Sequence, residues 1–163
     1  MSYYVIIRGP AGSGKSTIAK KLAKGLDAFY LDFDKVLSGY KLDKIDGDGI
    51  STENFIKGNE LILDDIRQRV KSDQTVIIDA CFYRKGHLDH LVKSLPYKHF
   101  IFSLQSSLKE CIQRTRKRKK GMADQDIIDV YNLAAKYKTG ILISTEGRKE
   151  KDVINEILEY LKK

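Results

Sequence analysis

The sequence predicts an α/β fold, one parallel sheet with helices packed on both faces. Two observations carry this. Short runs rich in β-branched and aromatic residues alternate with segments of helical periodicity along the whole 163-residue chain. The first of these runs, Tyr3-Tyr4-Val5-Ile6-Ile7, leads straight into a glycine-rich stretch, Gly9 to Thr17, that opens a helix.

The elements follow in order. Tyr3 to Arg8 is almost all apolar, as a strand covered on both faces should be. A helix runs from about Lys15 to Gly25, where glycine is a natural stop. Ala28 to Phe33 reads as the second strand, with Asp32 and Asp34 at its end. Leu37 to Gly49 reads as a turn-rich loop with at most a short helical turn. Its Asp46-Gly47-Asp48-Gly49 invites a calcium-loop reading, which fails. Counted from Asp46, Ser51 replaces the required glycine and Lys57 the closing glutamate. Ser51 caps a long helix to about Ser72, with Phe55, Ile62, Ile66 and Val70 on one stripe. Gln74 to Asp79 is the third strand, and a short helix from about Lys85 to Ser94 is closed by Pro96. Lys98 to Leu104 is the fourth strand. Ser106 or Ser107 caps a basic helix that stops at Gly121. A helix over about Asp124 to Lys138, a fifth strand over Gly140 to Ser144 and a last helix from about Lys149 to Leu161 complete one domain over 1–163.

A hydrophobic content of 42% with 32% charged residues describes a soluble globular protein. No apolar run approaches the ~20 residues that span a bilayer, and Met1-Ser2 leads into a strand rather than a signal peptide. Two cysteines, Cys81 and Cys111, are too few for a disulfide framework, so a cytoplasmic location is expected, without a membrane partner. The net charge of +8 favours anionic ligands without choosing among them. Much of the excess sits in Arg114 to Lys120, within a basic segment at about 106–122.

The glycine stretch fits G-x-x-x-x-G-K-[ST] in the strand–loop–helix context that the pattern needs. Its glycines let successive N–H groups turn toward an anion, and the helix N-terminus adds its positive end. Gly9, Ala11, Gly12, Ser13, Gly14 and Thr17 would cradle the phosphates of a nucleotide. Lys15 would reach the β- and γ-phosphates, and the Ser16 hydroxyl would hold Mg²⁺. Asp79, after Val76-Ile77-Ile78, would be the acid that supports Mg²⁺, through water. Ala80 follows where many hydrolysing ATPases carry a glutamate, which leans toward phosphate transfer rather than hydrolysis.

Asp32 and Asp34 share one face if the strand continues through both. Asp34 would then accept or orient the proton of an acceptor hydroxyl, with Asp32 orienting Asp34 or supporting the metal. The plainer alternative is an exposed acidic turn. Arg114 and Arg118, spaced i, i+4, would close over the transferring phosphoryl group. A solvated basic helix end and a nucleic-acid backbone patch are the alternatives. Arg84 would bind the acceptor or a phosphate, or lie at the surface. Tyr83, with Phe82, would wall the acceptor site or join the core. His87 and His90 near Cys81 lack a second ligand pair at zinc spacing, and the cysteines read as small buried hydrophobes.

These stretches resemble the small P-loop kinases related to adenylylsulfate kinase and to the kinase domain of polynucleotide kinases. The likeness rests on Gly9 to Thr17, Leu31-Asp32-Phe33-Asp34, Val76 to Ala80, and Leu108 to Arg114 continuing to Arg118. It implies a three-layer P-loop NTPase fold with sheet order 2-3-1-4-5. It also implies ATP and Mg²⁺ as cofactors, lid arginines at Arg114 and Arg118, and an acid at Asp34 beside the acceptor hydroxyl. Leu37 stands where relatives often carry an arginine, and Ala80-Cys81-Phe82-Tyr83 where they are often Asn-rich. The expected function is transfer of the γ-phosphate of ATP to a hydroxyl of a small molecule. The alternatives are a nucleotide or polynucleotide 5′-hydroxyl kinase, and a regulatory or hydrolytic NTP-binding protein. A GTPase needs an Asn-Lys-x-Asp motif, which the chain lacks.

Overall fold

The computed structural model describes residues 2–118 and 122–163. β1 (Tyr4–Arg8) leads through the glycine loop into α1 (Lys15–Gly25), then β2 (Phe29–Asp32) and α2 (Phe33–Gly39). A two-stranded hairpin, β3 (Ile45–Asp46) and β4 (Gly49–Ile50), precedes α3 (Thr52–Lys71). Next come β5 (Val76–Asp79), α4 (Lys85–Ser94), β6 (His99–Gln105), α5 (Leu108–Lys117) and α6 (Asp124–Lys136). β7 (Ile141–Ser144) and α7 (Glu150–Leu161) close the chain.

The five long strands form a parallel sheet in the order β2-β5-β1-β6-β7, which is the expected 2-3-1-4-5 once the hairpin strands are set aside. β1 is central and wholly buried. Its alternate side chains feed two cores. Tyr4 and Ile6 pack with residues of α3, α4 and α6, while Val5 and Ile7 pack with residues of α1 and α7. That is why the strand reads as an unbroken apolar run rather than an alternating one. The expected caps form, with Ser51 accepting from the Asn54 N–H and Ser107 from the Glu110 N–H.

One expectation is overturned. The second strand does not continue through Phe33 to Asp34, and a helix begins there instead. The Asp32 carboxylate accepts a hydrogen bond from the Lys35 N–H at 3.2 Å, capping α2. Phe33 and Leu37, both fully buried, are drawn against Phe55 and α3. Local capping and burial together outweigh the strand propensity of the run before them. Asp46 to Gly49, inside the stretch read as loop, forms the turn of the β3–β4 hairpin. The expected stop of the basic helix at Gly121 lies outside the described residues.

His87 is buried in the core, its ring stacked on Phe55 with centroids 3.7 Å apart, and neither ring nitrogen finds a partner. Burial, with Arg84 nearby, pushes its pKa down from 6.5 to about 3. The folded state therefore holds it neutral, while the unfolded chain binds its proton below about pH 6.5. Stability is full above that pH and falls as the pH drops toward 3, by up to ~1.4 kcal/mol per pH unit. Urea unfolding across this range should show the slope in the wild-type protein and a flatter one in His87→Phe. An unchanged slope in the variant would remove His87 as its source.

Candidate active site

β1 delivers the glycine loop to the carboxyl edge of the sheet, and β5 delivers Asp79 to the same edge, its backbone in register with Ile7. Gly12 cannot carry a side chain. Its φ is +80°, and a Cβ there would sit 2.2 Å from the Cys111 carbonyl oxygen, so α5 packs directly onto the loop. Gly14, at φ +91°, is the N-cap of α1, and no side chain caps that helix. The N–H groups of its first turn are left for a ligand, with the helix dipole behind them.

Lys15 is buried beside Cys81, Asp34 and Asp79. Burial lowers its pKa, but these neighbours outweigh that cost and leave it raised. Burial pushes the Cys81 thiol up to about 11, so at neutral pH it is an uncharged hydrogen-bond partner. The two carboxylates therefore do the work of keeping Lys15 charged. Tyr30 donates to Asp79 Oδ2 at 2.7 Å, while Asp79 Oδ1 is buried with no partner. An orphaned carboxylate oxygen at this edge fits a site for a hydrated divalent cation.

Two cavities flank the loop. One, of about 330 Å³, is lined by Gly14, Thr17, Arg114, Lys117, Arg118 and Arg148, among others. The other, of about 260 Å³, is lined by Ala11, Gly12, Lys15, Ser16, Asp34, Cys81 and Tyr83, with Arg118 again. Arg118 is the described residue common to both linings. A further cavity of about 380 Å³ lies on the α6 side of the sheet and touches Gly9 and Pro10, but none of Lys15, Asp34 or Asp79.

Arg114 ties three segments together. Its guanidinium donates to the Gly12 carbonyl at 3.2 Å and to the Thr145 carbonyl at 3.1 Å, and pairs with Glu110. Thr145 in turn donates to the Ser13 carbonyl at 2.8 Å. α5, the glycine loop and the turn after β7 thus share one network. Tyr83 lines the second cavity, and its hydroxyl is bonded to the Ile50 N–H, fastening the hairpin to the site. Phe82, between Cys81 and Tyr83, has φ +40°, an uncommon conformation for an aromatic residue. Its carbonyl accepts from the buried Arg8 guanidinium at 3.1 Å.

The residues expected at the site separate into two groups. The glycine loop, Lys15, Ser16, Asp34, Asp79, Tyr83, Arg114 and Arg118 come together around the two cavities or at the sheet edge beside them. Asp32 does not. It caps α2 and faces a different hollow, beside Phe29 and Leu61, because the chain turns into a helix between the two acids. Arg84 is also absent from both linings, since it pairs with Asp48 of the hairpin. The sequence reading missed Thr145, Arg148, Asp43 and Arg8. The first two follow β7 at the carboxyl edge where ligands of parallel sheets bind, which is the signal that could have found them. Asp43 is brought in by the hairpin, and Arg8 hides inside a strand; no local pattern marks either.

Residues 5–132 match the family described as an AAA domain. The chain belongs to this family. Within the AAA-domain family its sheet order and layers are those of the P-loop kinase fold. It is similar to a gluconokinase from Arabidopsis thaliana, 34% identical over 93 residues, covering 56% of this chain and 49% of the relative. The chain thus spans about half the length of that relative. Among solved structures, a sugar kinase from Janibacter superposes with a TM-score of 0.81 at 18% identity, covering 99% of this chain and 95% of the other. The Mycobacterium tuberculosis APS kinase, in complex with AMPPNP and APS, superposes with a TM-score of 0.69 at 18% identity, over 99% and 98% of the chains. At such identities the structural matches speak for the fold alone. Among the described residues, no helix is long and apolar enough to cross a membrane.

Proposed function

We propose that this protein is an ATP-dependent kinase that transfers the γ-phosphoryl group to a hydroxyl of a small molecule. The observation that carries this reading is Arg118 in the linings of two cavities on either side of the glycine loop, with Lys15 in one of them. A protein that only bound or hydrolysed a nucleotide would need no second cavity opposite its phosphate end. The gluconokinase likeness supports the same class of reaction, and the sugar kinase and APS kinase likenesses support the fold that this reading needs.

The roles divide as follows. The larger cavity takes the nucleoside beside Arg114 and Arg148, and the first-turn N–H groups of α1 take the phosphates. Lys15 neutralises the β- and γ-phosphates from a buried position where its charge is little screened. Arg118, at the junction, stabilises charge on the phosphoryl group in flight. Asp34 orients the acceptor hydroxyl and takes its proton. The hydroxyl oxygen forms a bond to the γ-phosphorus, the bond from that phosphorus to the bridging oxygen breaks, and ADP leaves with the electron pair. Ser16 and, through water, Asp79 would hold Mg²⁺. When bound, the ion supplies neutralisation of charge between the β- and γ-phosphates.

Incubation with γ-labelled ATP and a panel of nucleosides, sugars, amino acids, cofactor precursors and oligonucleotides tests the reading. Label should pass to an alcohol, with little release of phosphate in its absence. Steady hydrolysis unaffected by any acceptor would overturn it in favour of an NTPase.

A further inference from the structure

We infer that the acceptor carries no negative charge: it is a neutral or cationic alcohol with an apolar body. The inference rests on the kinase reading and concerns the half of the site that reading leaves open. Away from the glycine loop, the walls of the 260 Å³ cavity include the apolar side chains of Leu37, Ile45, Ile50, Met122 and Val130, with Tyr83, Cys81 and Thr115 among them. The charged groups on its acceptor side are both acidic, Asp34 and Asp43. Among the described residues, its basic lining consists of Lys15 and Arg118. Both have a prior claim: Lys15 sits against the loop that holds phosphates, and Arg118 is shared with the nucleotide cavity.

Among the described residues, the nearby bases are accounted for elsewhere. Arg84 is paired with Asp48. Lys41 and Lys44 flank Asp43 in sequence but are exposed and lie outside the lining. A carboxylate or phosphate on the acceptor would enter an apolar chamber edged by two acids, with no described cation to receive it. Desolvating such a group without a partner is costly, and the like charges of Asp34 and Asp43 add to the cost. An apolar body instead gains from Leu37, Ile50 and Met122, and a protonated amine from Asp43. Gluconate carries a carboxylate, so the acceptor of this chain departs from that of the Arabidopsis relative. A polynucleotide 5′ end is a polyanion and is disfavoured on the same ground.

The test uses the full chain with ATP and Mg²⁺ and alcohols in matched sets. Each set holds one carbon skeleton as an alcohol, an amino alcohol and a hydroxy acid: benzene-1,4-dimethanol, 4-(hydroxymethyl)benzylamine and 4-(hydroxymethyl)benzoate; sorbitol, glucamine and gluconate. A 5′-hydroxyl oligonucleotide is the polyanionic member. The neutral or cationic member of a turned-over set should exceed the anionic one in kcat/KM by at least about tenfold, the ratio that 1.4 kcal/mol produces. Asp43→Lys, at an exposed position where the fold should tolerate it, should shift the anionic-to-cationic ratio about tenfold or more toward the hydroxy acid. Preference for the anionic member, or for the oligonucleotide, overturns the inference and leaves the kinase reading standing. Unchanged selectivity in Asp43→Lys also overturns it. Failure of transfer to every member, with ATP hydrolysed regardless, overturns the kinase reading and the inference together.

Discussion

Replacing Lys15 with alanine should lower phosphoryl transfer by at least about 10²–10³, the cost of deleting one preorganised group that meets charge as it develops. Nucleotide affinity should fall as well, because Lys15 meets the phosphates in the ground state and in the transition state alike. The side chain is buried, and its charge is sustained by Asp34 and Asp79. Its removal leaves two carboxylates at one sheet edge without their shared cation. Lys15→Met keeps most of the volume and separates the loss of charge from the loss of packing. Transfer rates and titration with a non-hydrolysable ATP analogue measure both quantities. Wild-type turnover in either variant would mean that the glycine loop is not the phosphate site.

Asp34→Asn should lower kcat by about 10²–10⁴ while nucleotide affinity stays nearly constant. The contrast with Lys15 is the diagnostic part. Asp34 stands in the lining of the smaller cavity and not in that of the larger one. A loss in kcat, at wild-type affinity for the ATP analogue, is the signature of a group that serves the acceptor. A pH–rate profile that loses its acidic limb in the variant would strengthen the assignment. Full turnover in Asp34→Asn would remove Asp34 from proton transfer. Asp32→Ala is the comparison: losing the side chain that caps α2 should cost about 0.5–2 kcal/mol of stability and leave the chemistry largely intact.

The division between Asp32 and Asp34 marks where the sequence stopped being legible. Read as a strand end, the two acids share a face, with Asp34 toward the acceptor hydroxyl and Asp32 supporting it or the metal. The structure separates them because the Asp32 side chain caps α2, while the turn of helix that follows carries Asp34 toward Lys15. The deciding force is the burial of Phe33 and Leu37 against α3, an element beginning some twenty residues later in the chain. Arg84 is similar. Its position after β5 suggested a ligand, but a carboxylate on the hairpin, Asp48, claims it.

What the sequence determined alone are the features whose physics is local. Alternating strand and helix patterns set the α/β class. The glycine spacing set the phosphate loop, since only glycine tolerates φ +80° under a packed carbonyl. An apolar strand ending in Asp79 set the acid at the sheet edge. The tertiary structure decided everything that depends on segments distant in the chain. It joined Arg114 to the glycine loop and to Thr145, made Arg118 common to two cavities, and closed an apolar chamber with the β3–β4 hairpin. Backbone preferences and caps act over a few residues and leave a trace in the sequence. Cavity walls and ion pairs form between residues tens of positions apart, so which partner an arginine takes, or which acid faces the acceptor, is settled only when the helices pack.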